Sequence, residues 1–557
     1  MIQNLSPQLN DAMNIPPKDV QQKGLFFLSI IVVLFFAACE IVARGDEPPA
    51  DIQKRCTEIC QQLQSMTVRV RSGTDVSSGV IVSADGLVLT VAHGLKADAA
   101  TTVIVSSAQA FEAKRVFVDE SADIALLSID LASSNASDIR CLPLSTDARS
   151  AVGEIAMAAG FPARESDGMT TVIRLGEILA VDDSAIKTTC TLTSGDSGGP
   201  LVNSYGELIG LNRQIGKSPE SNGHIRISAI RRALEQTDLW KKLPQQVSAN
   251  PHLPLLSKRL LAEPVVVRMA RQATVEIHGT DRKGGVAVRA CGTIFDELHV
   301  ATKLSEIVFC GKLECRFADG SKTTATLSKQ DRTLDLAILT MKTPSKHGGI
   351  IRAGIAESGS DVSLVGRIVF AATSPMNISV AGIISREAHQ EPSLPARFGA
   401  TMQEDGKHVG ITELSPNSSA AFAGLQAGDE LLQLDGKVIT SLAAIGSLLE
   451  PCQPGDWIAL TVKRGQKEFE TQAQLQHDPG QQFDKTEFLD GRTGRVSLRR
   501  SNFQAMQHDI AKTPPACGGP LLDIDGHIIG VNIARRARES TLALPIDIVV
   551  QFANNQL

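Results

Sequence analysis

The chain has 557 residues and a formal net charge of −6, with basic and acidic residues interspersed. It has no basic stripe interleaved with aromatics, so nucleic acid is not an expected partner. The length points to three or four domains, and with only 4% aromatic residues their cores must be largely aliphatic.

Residues 1–23 are a polar N-terminal segment, and residues 24–43 contain an apolar run from Leu25 to Ala38. About fourteen helical residues span roughly 21 Å, less than the roughly 30 Å hydrocarbon layer, which suits an export signal. Phe36-Ala37-Ala38-Cys39 is similar to a lipoprotein cleavage site, although Phe is a poor first residue there; an uncleaved membrane anchor stays open. Residues 44–65 form a linker with Pro48 and Pro49, then a short helix over 51–63. Ten cysteines are too sparse for a disulfide scaffold, and neither Cys56/Cys60 nor Cys310/Cys315 has the further His or Cys of a metal site.

From Thr67 the pattern becomes short apolar or alternating runs, such as Gly79–Val82 and Leu87–Thr90, separated by the Asp85-Gly86 turn signal. Many short strands at this spacing predict an all-β barrel or sandwich. This domain covers 66–243 and closes with a helix near 227–241; a proline-containing linker follows at 244–264.

Within it stand Thr90-Val91-Ala92-His93, Asp123-Ile124-Ala125-Leu126-Leu127 and Gly195-Asp196-Ser197-Gly198-Gly199-Pro200. His, Asp and Ser in this order suit nucleophilic acyl transfer. A serine hydroxyl is a weak nucleophile until a base takes its proton, and His93 is the natural base for it. Asp123 would orient His93, and the N–H groups of Gly195 and Ser197 would receive the developing oxyanion.

The same blueprint recurs. Val300-Ala301-Thr302-Lys303, Asp335-Leu336-Ala337-Ile338-Leu339 and Pro515-Ala516-Cys517-Gly518-Gly519-Pro520 echo the three segments. Read this way, Lys303 replaces the histidine, Asp335 is kept, and Cys517 replaces the serine. A protonated lysine is no base, and Pro515 restricts the oxyanion loop, so this copy reads as a degenerate, non-catalytic domain. It occupies 265–396 and 477–557, interrupted by a separate unit at 397–476.

The inserted unit resembles a PDZ domain through Ser415-Pro416, Ala423-Gly424-Leu425 and Gly428-Asp429. By that resemblance, Phe398-Gly399-Ala400 is the carboxylate-binding loop of a groove that takes peptide C-termini by strand addition.

Residues 67–241 resemble the HtrA (Deg) branch of chymotrypsin-fold serine proteases. The likeness rests on Ser78-Gly79-Val80-Ile81-Val82, His93, the Asp123 segment and Ser197-Gly198-Gly199-Pro200-Leu201. It implies a mainly β protein: two chymotrypsin-like double β-barrel domains, the second degenerate, plus a small α+β PDZ domain. It also implies an exported endopeptidase of the bacterial periplasm or cell envelope that cuts unfolded or misplaced proteins, with no metal or cofactor. Family members often form trimers, which leaves homo-oligomerisation open, as is membrane association through the N-terminal segment.

Three features depart from the family pattern. Asp196 stands where asparagine is usual, which calls either for an internal partner such as Arg213 or for a loop that stays disordered until a partner binds. Arg213 matches a position lining the primary specificity pocket, where it would favour acidic or polar side chains, or else it simply points outward; Thr191 lies near the pocket base. The PDZ unit is inserted rather than appended. These departures keep open a second reading, a latent or non-catalytic scaffold that binds peptide termini.

Overall fold

Backbone hydrogen bonding turns the short apolar runs into strands that close on themselves, which leaves no sheet edge in the barrels. The computed structural model describes residues 49–554 except 107–108, 131–140, 146–149, 163–169, 219, 244–263, 281–284, 308–309, 347, 349, 352–362, 373, 375–378, 391–395, 407, 416–417, 453–455, 476–503, 511–515, 536–537 and 539. Strands β1 (Thr67–Ser72), β2 (Asp75–Ile81), β3 (Leu87–Thr90), β4 (Thr101–Ser106), β5 (Gln109–Asp119) and β6 (Ile124–Ile129) close in the order β1-β2-β3-β6-β5-β4. Strands β7 (Ile155–Gly160), β8 (Val172–Val181), β9 (Ala185–Thr188), β10 (Pro200–Asn203), β11 (Leu208–Gln214) and β12 (Asn222–Arg226) form a second barrel, β10-β11-β12-β9-β8-β7. Their interiors are aliphatic: Val68, Val70, Val88 and Leu127 in the first, Ala156, Ile178, Leu201 and Ile209 in the second. The expected turn at Asp85-Gly86 joins β2 to β3. Gly86 has φ 91, and a Cβ there would lie 2.3 Å from the Ile129 carbonyl oxygen, so only glycine fits.

The second copy repeats the plan. Strands β13 (Thr274–Thr280), β14 (Val286–Ile294), β15 (His299–Lys303), β16 (Leu313–Arg316), β17 (Lys322–Asp331) and β18 (Leu336–Met341) close as β13-β14-β15-β18-β17-β16. After β19 (Ile350–Ile351) come β20 (Ile368–Ala372) and β21 (Ser379–Gln390). The inserted unit follows, with β22 (Ala400–Glu404), β23 (Val409–Leu414), β24 (Glu430–Leu434), β25 (Lys437–Val438), β26 (Trp457–Arg464) and β27 (Lys467–Gln474) around its own core. The barrel resumes with β28 (Gln504–His508), β29 (Pro520–Asp523), β30 (His527–Arg535) and β31 (Thr541–Pro545). Pairing of β30 with both β29 and β31 closes the ring β29-β30-β31-β28-β21-β20, the order of the second barrel in copy one. The insert therefore sits where copy one has only the turn between β8 and β9.

Helices repeat too. Pro49–Met66 precedes copy one and Pro264–Ala273 precedes copy two; Ile227–Glu235 and Ile546–Ala553 close them. The first of these was expected to be a shorter linker helix. It packs on copy one, where Arg55 Nη2 donates to the Tyr205 carbonyl at 2.5 Å, and also on copy two. There, a Cβ on Gly366 would lie 2.9 Å from both Cys60 Cβ and Thr57 Cα. Arg55–Leu557 is one compact unit; residues up to Lys54 form another, of which 49–54 are described.

The nine described cysteines are all free thiols. No helix among the described residues is long and apolar enough to cross a membrane. The apolar segment 24–43, the linker 244–263 and Pro515 lie outside the described residues.

Asp509 follows β28 and lies half-buried between the copies, accepting from Ile383 N at 2.7 Å and from Leu175 N at 2.6 Å. Burial pushes its carboxyl up to about 7, against the pull of those N–H groups and of Arg174. The folded chain thus keeps a proton that the unfolded chain releases near pH ~4, so this contribution to stability is complete below ~4 and is lost as pH rises through about 7. Asp509→Asn is expected to remove that decline, leaving a flatter curve of urea midpoint against pH over this interval.

Candidate active site

Strand β3 runs into a 3-10 turn, Ala92–Gly94, that carries His93, and Asp123 lies just before β6, its paired neighbour. Asp123 has φ 60, a left-handed conformation that aspartate tolerates better than most residues. That bend turns its carboxylate to the His93 backbone, whose N–H donates to Oδ1 at 2.9 Å. His93 Nδ1 lies 2.9 Å from Oδ2 and 3.0 Å from Oδ1. Arg213 Nε donates to Oδ2 at 3.0 Å. Burial works to raise the Asp123 carboxyl, but the two hydrogen bonds from His93 and the charges of His93 and Arg213 hold it below the usual carboxylate value.

Ser197 sits in a loop bonded at several backbone points. Its carbonyl accepts from Ser78 N at 2.8 Å, and the Gly195 carbonyl accepts from Ser78 Oγ at 2.8 Å. Gly198 N donates to the Asn212 carbonyl at 2.8 Å. Gly198 has φ 87, and a Cβ there would lie 2.2 Å from the Ser78 carbonyl oxygen. Among the described residues, neither the Gly195 N–H nor the Ser197 N–H has an acceptor in the fold, and Ser197 Oγ makes no hydrogen bond with His93. Such an arrangement can offer two donors to an anion beside a serine hydroxyl.

Asp196 is bound by Arg174, not by Arg213. Arg174 Nη1 donates to Oδ1 at 2.9 Å, both side chains are 1% exposed, and Thr193 N donates to Oδ2 at 2.8 Å. The expected partner fails because neighbouring strand residues face opposite ways. On β11 Asn212 points inward, bonding the Ala159 carbonyl at 2.9 Å, so Arg213 points out towards Asp123. Thr191 is half-buried on the segment between β9 and the Ser197 loop. A buried network missed by the sequence reading joins Thr188 to His224 at 2.7 Å and His224 to Asn212 at 3.0 Å. Burial lowers His224 to about 3, so it stays neutral and supports Asn212. Arg174 did leave a signal: it is a lone charge in the otherwise apolar run Val172-Ile173-Arg174-Leu175.

The second copy needs a correction of register. Thr90 Oγ1 donates to the Ser78 carbonyl at 2.7 Å, and Thr302 Oγ1 donates to the Cys291 carbonyl at 2.6 Å. Ser78 N donates to the Ser197 carbonyl at 2.8 Å, and Cys291 N to the Cys517 carbonyl at 2.9 Å. Thr302 therefore corresponds to Thr90, and the residue three further on, Ser305 rather than Lys303, corresponds to His93. Ser305 N donates to Asp335 Oδ1 at 2.7 Å, as His93 N does to Asp123, and Asp335 repeats the left-handed backbone with φ 53. Lys303 reaches the same carboxylate from the Val91 position, with Nζ 2.5 Å from Asp335 Oδ2 and both groups buried. Cys517 is fully buried.

In the insert, Phe398 packs in the core, Gly399 has φ 76 and Ala400 opens β22. Strand β22 ends the sheet order β22-β23-β24-β26-β27, and the helix Leu442–Leu449 lies beside it, its Leu442 N donating to Glu404 Oε2 at 2.6 Å. Arg464 binds Asp429 through both carboxylate oxygens, at 2.6 and 2.8 Å, and so ties β26 to the Gly428-Asp429 turn.

Residues 77–211 match the trypsin-like peptidase domain family, and residues 396–475 match the PDZ domain family. The barrels and the insert thus make this a mainly β, trypsin-like peptidase chain with a PDZ domain. It is similar to the probable periplasmic serine protease do/HhoA-like of Haemophilus influenzae, with 26% identity over 416 residues, 72% of this chain and 78% of that protein. The periplasmic pH-dependent serine endoprotease DegQ of Escherichia coli is 25% identical over 403 residues, 70% of this chain and 78% of its own. Serine protease HTRA1A of Danio rerio is 39% identical over 143 residues, 24% of this chain and 29% of its own. The chain is homologous to the DegP/HtrA serine proteases.

Arg174→Met would strand a buried carboxylate, and a loss of about 3–5 kcal/mol in urea unfolding is expected. Adding Asp196→Asn should recover most of it, since the stranded charge is then gone. Arg213 is half-exposed at the rim, so Arg213→Thr should shift the urea midpoint little.

Proposed function

We propose that copy one is a serine endopeptidase working through His93, Asp123 and Ser197. His93 takes the Ser197 proton as Oγ attacks the peptide carbonyl, and the oxyanion is received by the N–H groups of Gly195 and Ser197. Collapse expels the amine with a proton from His93 and leaves an acyl-enzyme, which water then opens by the same steps. Asp123 holds His93 in the tautomer with Nε2 free and stabilises the imidazolium. The observation that carries this reading is the His93–Asp123 pair beside a serine loop with two uncommitted N–H groups. The missing Ser197–His93 hydrogen bond fits a site that tightens with substrate bound.

The clients proposed are unfolded or misplaced proteins of the bacterial periplasm or cell envelope. The family's PDZ unit would capture their exposed C-termini along the edge of β22, beside the Phe398-Gly399-Ala400 loop. Thr191 and Arg213 stay candidates for the specificity pocket, with Arg213 also bonded to Asp123. Copy two has no base on its Asp335 and is proposed to be non-catalytic.

A fluorophosphonate probe tests the assignment. Labelling of the folded protein is expected, lost in Ser197→Ala and kept in Cys517→Ala, with peptide turnover in Asp123→Asn down by about 10⁴. Folded but unlabelled wild-type protein would instead support the peptide-binding scaffold, a reading favoured by the Arg213 hold on Asp123. Cleavage of casein would mark broad quality control rather than a single client.

A further inference from the structure

Copy two touches copy one at two points that bear on the Ser197 site. The first is Asp509. In copy one, Thr189 occupies the matching position and bonds within its own barrel: Glu177 N donates to Thr189 Oγ1 at 2.8 Å, and Thr189 N donates to the Glu177 carbonyl at 3.0 Å. Asp509 makes the same pair of bonds with Ile383, at 2.7 and 3.2 Å. An aspartate has a second oxygen where threonine has a methyl group. That oxygen crosses to copy one and accepts the Leu175 N–H at 2.6 Å. Leu175 follows Arg174 on β8, and Arg174 holds Asp196, the residue before Ser197. Gly382 seats the carboxylate, since a Cβ there would lie 2.2 Å from Asp509 Oδ1.

The second point is Arg538, fully buried after β30. Its Nη2 donates to the Ser218 carbonyl at 2.6 Å and to Asn222 Oδ1 at 3.3 Å. Asn222 Oδ1 also accepts from Gly216 N at 3.2 Å. Both contacts lie on the turn from β11, which carries Arg213, to β12.

Correspondence between the copies sharpens the point. Asp196 matches Ala516 and Arg174 matches Val380, so the ion pair belongs to copy one alone. The crossing carboxylate and guanidinium belong to copy two alone. A non-catalytic repeat that merely filled space would need neither polar group bonded across the junction, least of all the fully buried Arg538.

We propose that copy two is a fixed intramolecular partner that positions both loops of the copy-one site. In it, Asp509 holds β8 so that Arg174 keeps Asp196 in place, while Arg538 holds the β11–β12 turn. The proposal rests on the proteolytic reading of copy one for its kinetic consequences. Asp509 and Arg538 are positioning residues, and neither touches substrate.

The two contacts should separate kinetically in the full chain. Asp509→Asn is expected to slow fluorophosphonate labelling per folded molecule by about tenfold or more and to lower kcat with little change in KM, because the lost precision falls on the reacting loop. Arg538→Gln is expected to raise KM for peptide substrates with kcat largely kept. In the Arg174→Met/Asp196→Asn background, Asp509→Asn should cause no further slowing, since the link it acts through is gone. Gly382→Ala displaces the carboxylate without removing it and serves if Asp509→Asn does not fold. Amide hydrogen exchange over 193–199 gives a readout independent of activity: faster exchange is expected in Asp509→Asn and Gly382→Ala. Unchanged exchange and labelling rate beside a lowered Tm would overturn the proposal and leave Asp509 as interdomain glue. An unlabelled wild-type protein whose loop exchange still responds to Asp509→Asn would sink the protease reading while supporting the coupling.

Discussion

The buried pair of Arg174 and Asp196 is the constraint on which the site depends. An ion taken out of water costs several kcal/mol unless a partner and hydrogen bonds return it, so neither residue can change alone. Arg174 and Thr193 N hold the Asp196 carboxylate, its N–H donates to the Thr193 carbonyl at 3.2 Å, and its carbonyl accepts from Gly199 N at 3.0 Å. Ser197 is carried between these anchors. In digestive trypsin-like enzymes a freed terminal amine neutralises the equivalent aspartate. Here a strand arginine does so from within the barrel, and the loop conformation needs no new chain end.

Divergence of the two copies follows one rule: backbone bonds persist and charges move. The Thr hydroxyl to carbonyl bond, the loop-to-strand bond and the left-handed aspartate recur in both copies. Each ties a loop to its barrel whatever side chains stand in the site. The side chains that would do chemistry have been replaced by groups that neutralise one another. Lys303 and Ser305 both bind Asp335, which leaves that carboxylate satisfied and no imidazole to orient.

Much of this was legible in the sequence because it is written locally. His93, Asp123 and Ser197 come in short motifs with fixed neighbours, and the duplicated strands repeat in order. The insert announces itself by its glycine and aspartate spacing. The register of the second histidine position was misread because Val-Ala-Thr-Lys resembles Thr-Val-Ala-His as a string; the true anchor is a threonine hydroxyl bonded to a carbonyl eleven residues earlier. Arg174 and Asp509 act across sequence separations of 22 and 334 residues, which no local pattern reports. Arg213 was misassigned as a partner of Asp196 for a subtler reason, since strand alternation decides its direction and only the inward Asn212 reveals the phase.

The site of insertion has a bearing on how the chain assembles. β21 and β28 pair up to Gln390 and Gln504, so the PDZ unit leaves and re-enters the barrel at adjacent points of one ladder. Copy one closes the same ladder over a turn of three residues, 182–184. Lengthening a flexible loop from that turn to the span 391–503 is about five doublings, an entropic toll of about 3 kcal/mol. A domain that folds on its own and brings its ends together shortens the effective tether and removes much of that toll. The PDZ unit then acts as a clasp during synthesis: β28 to β31 emerge after it, and the second barrel shuts more readily once the unit upstream of them has condensed.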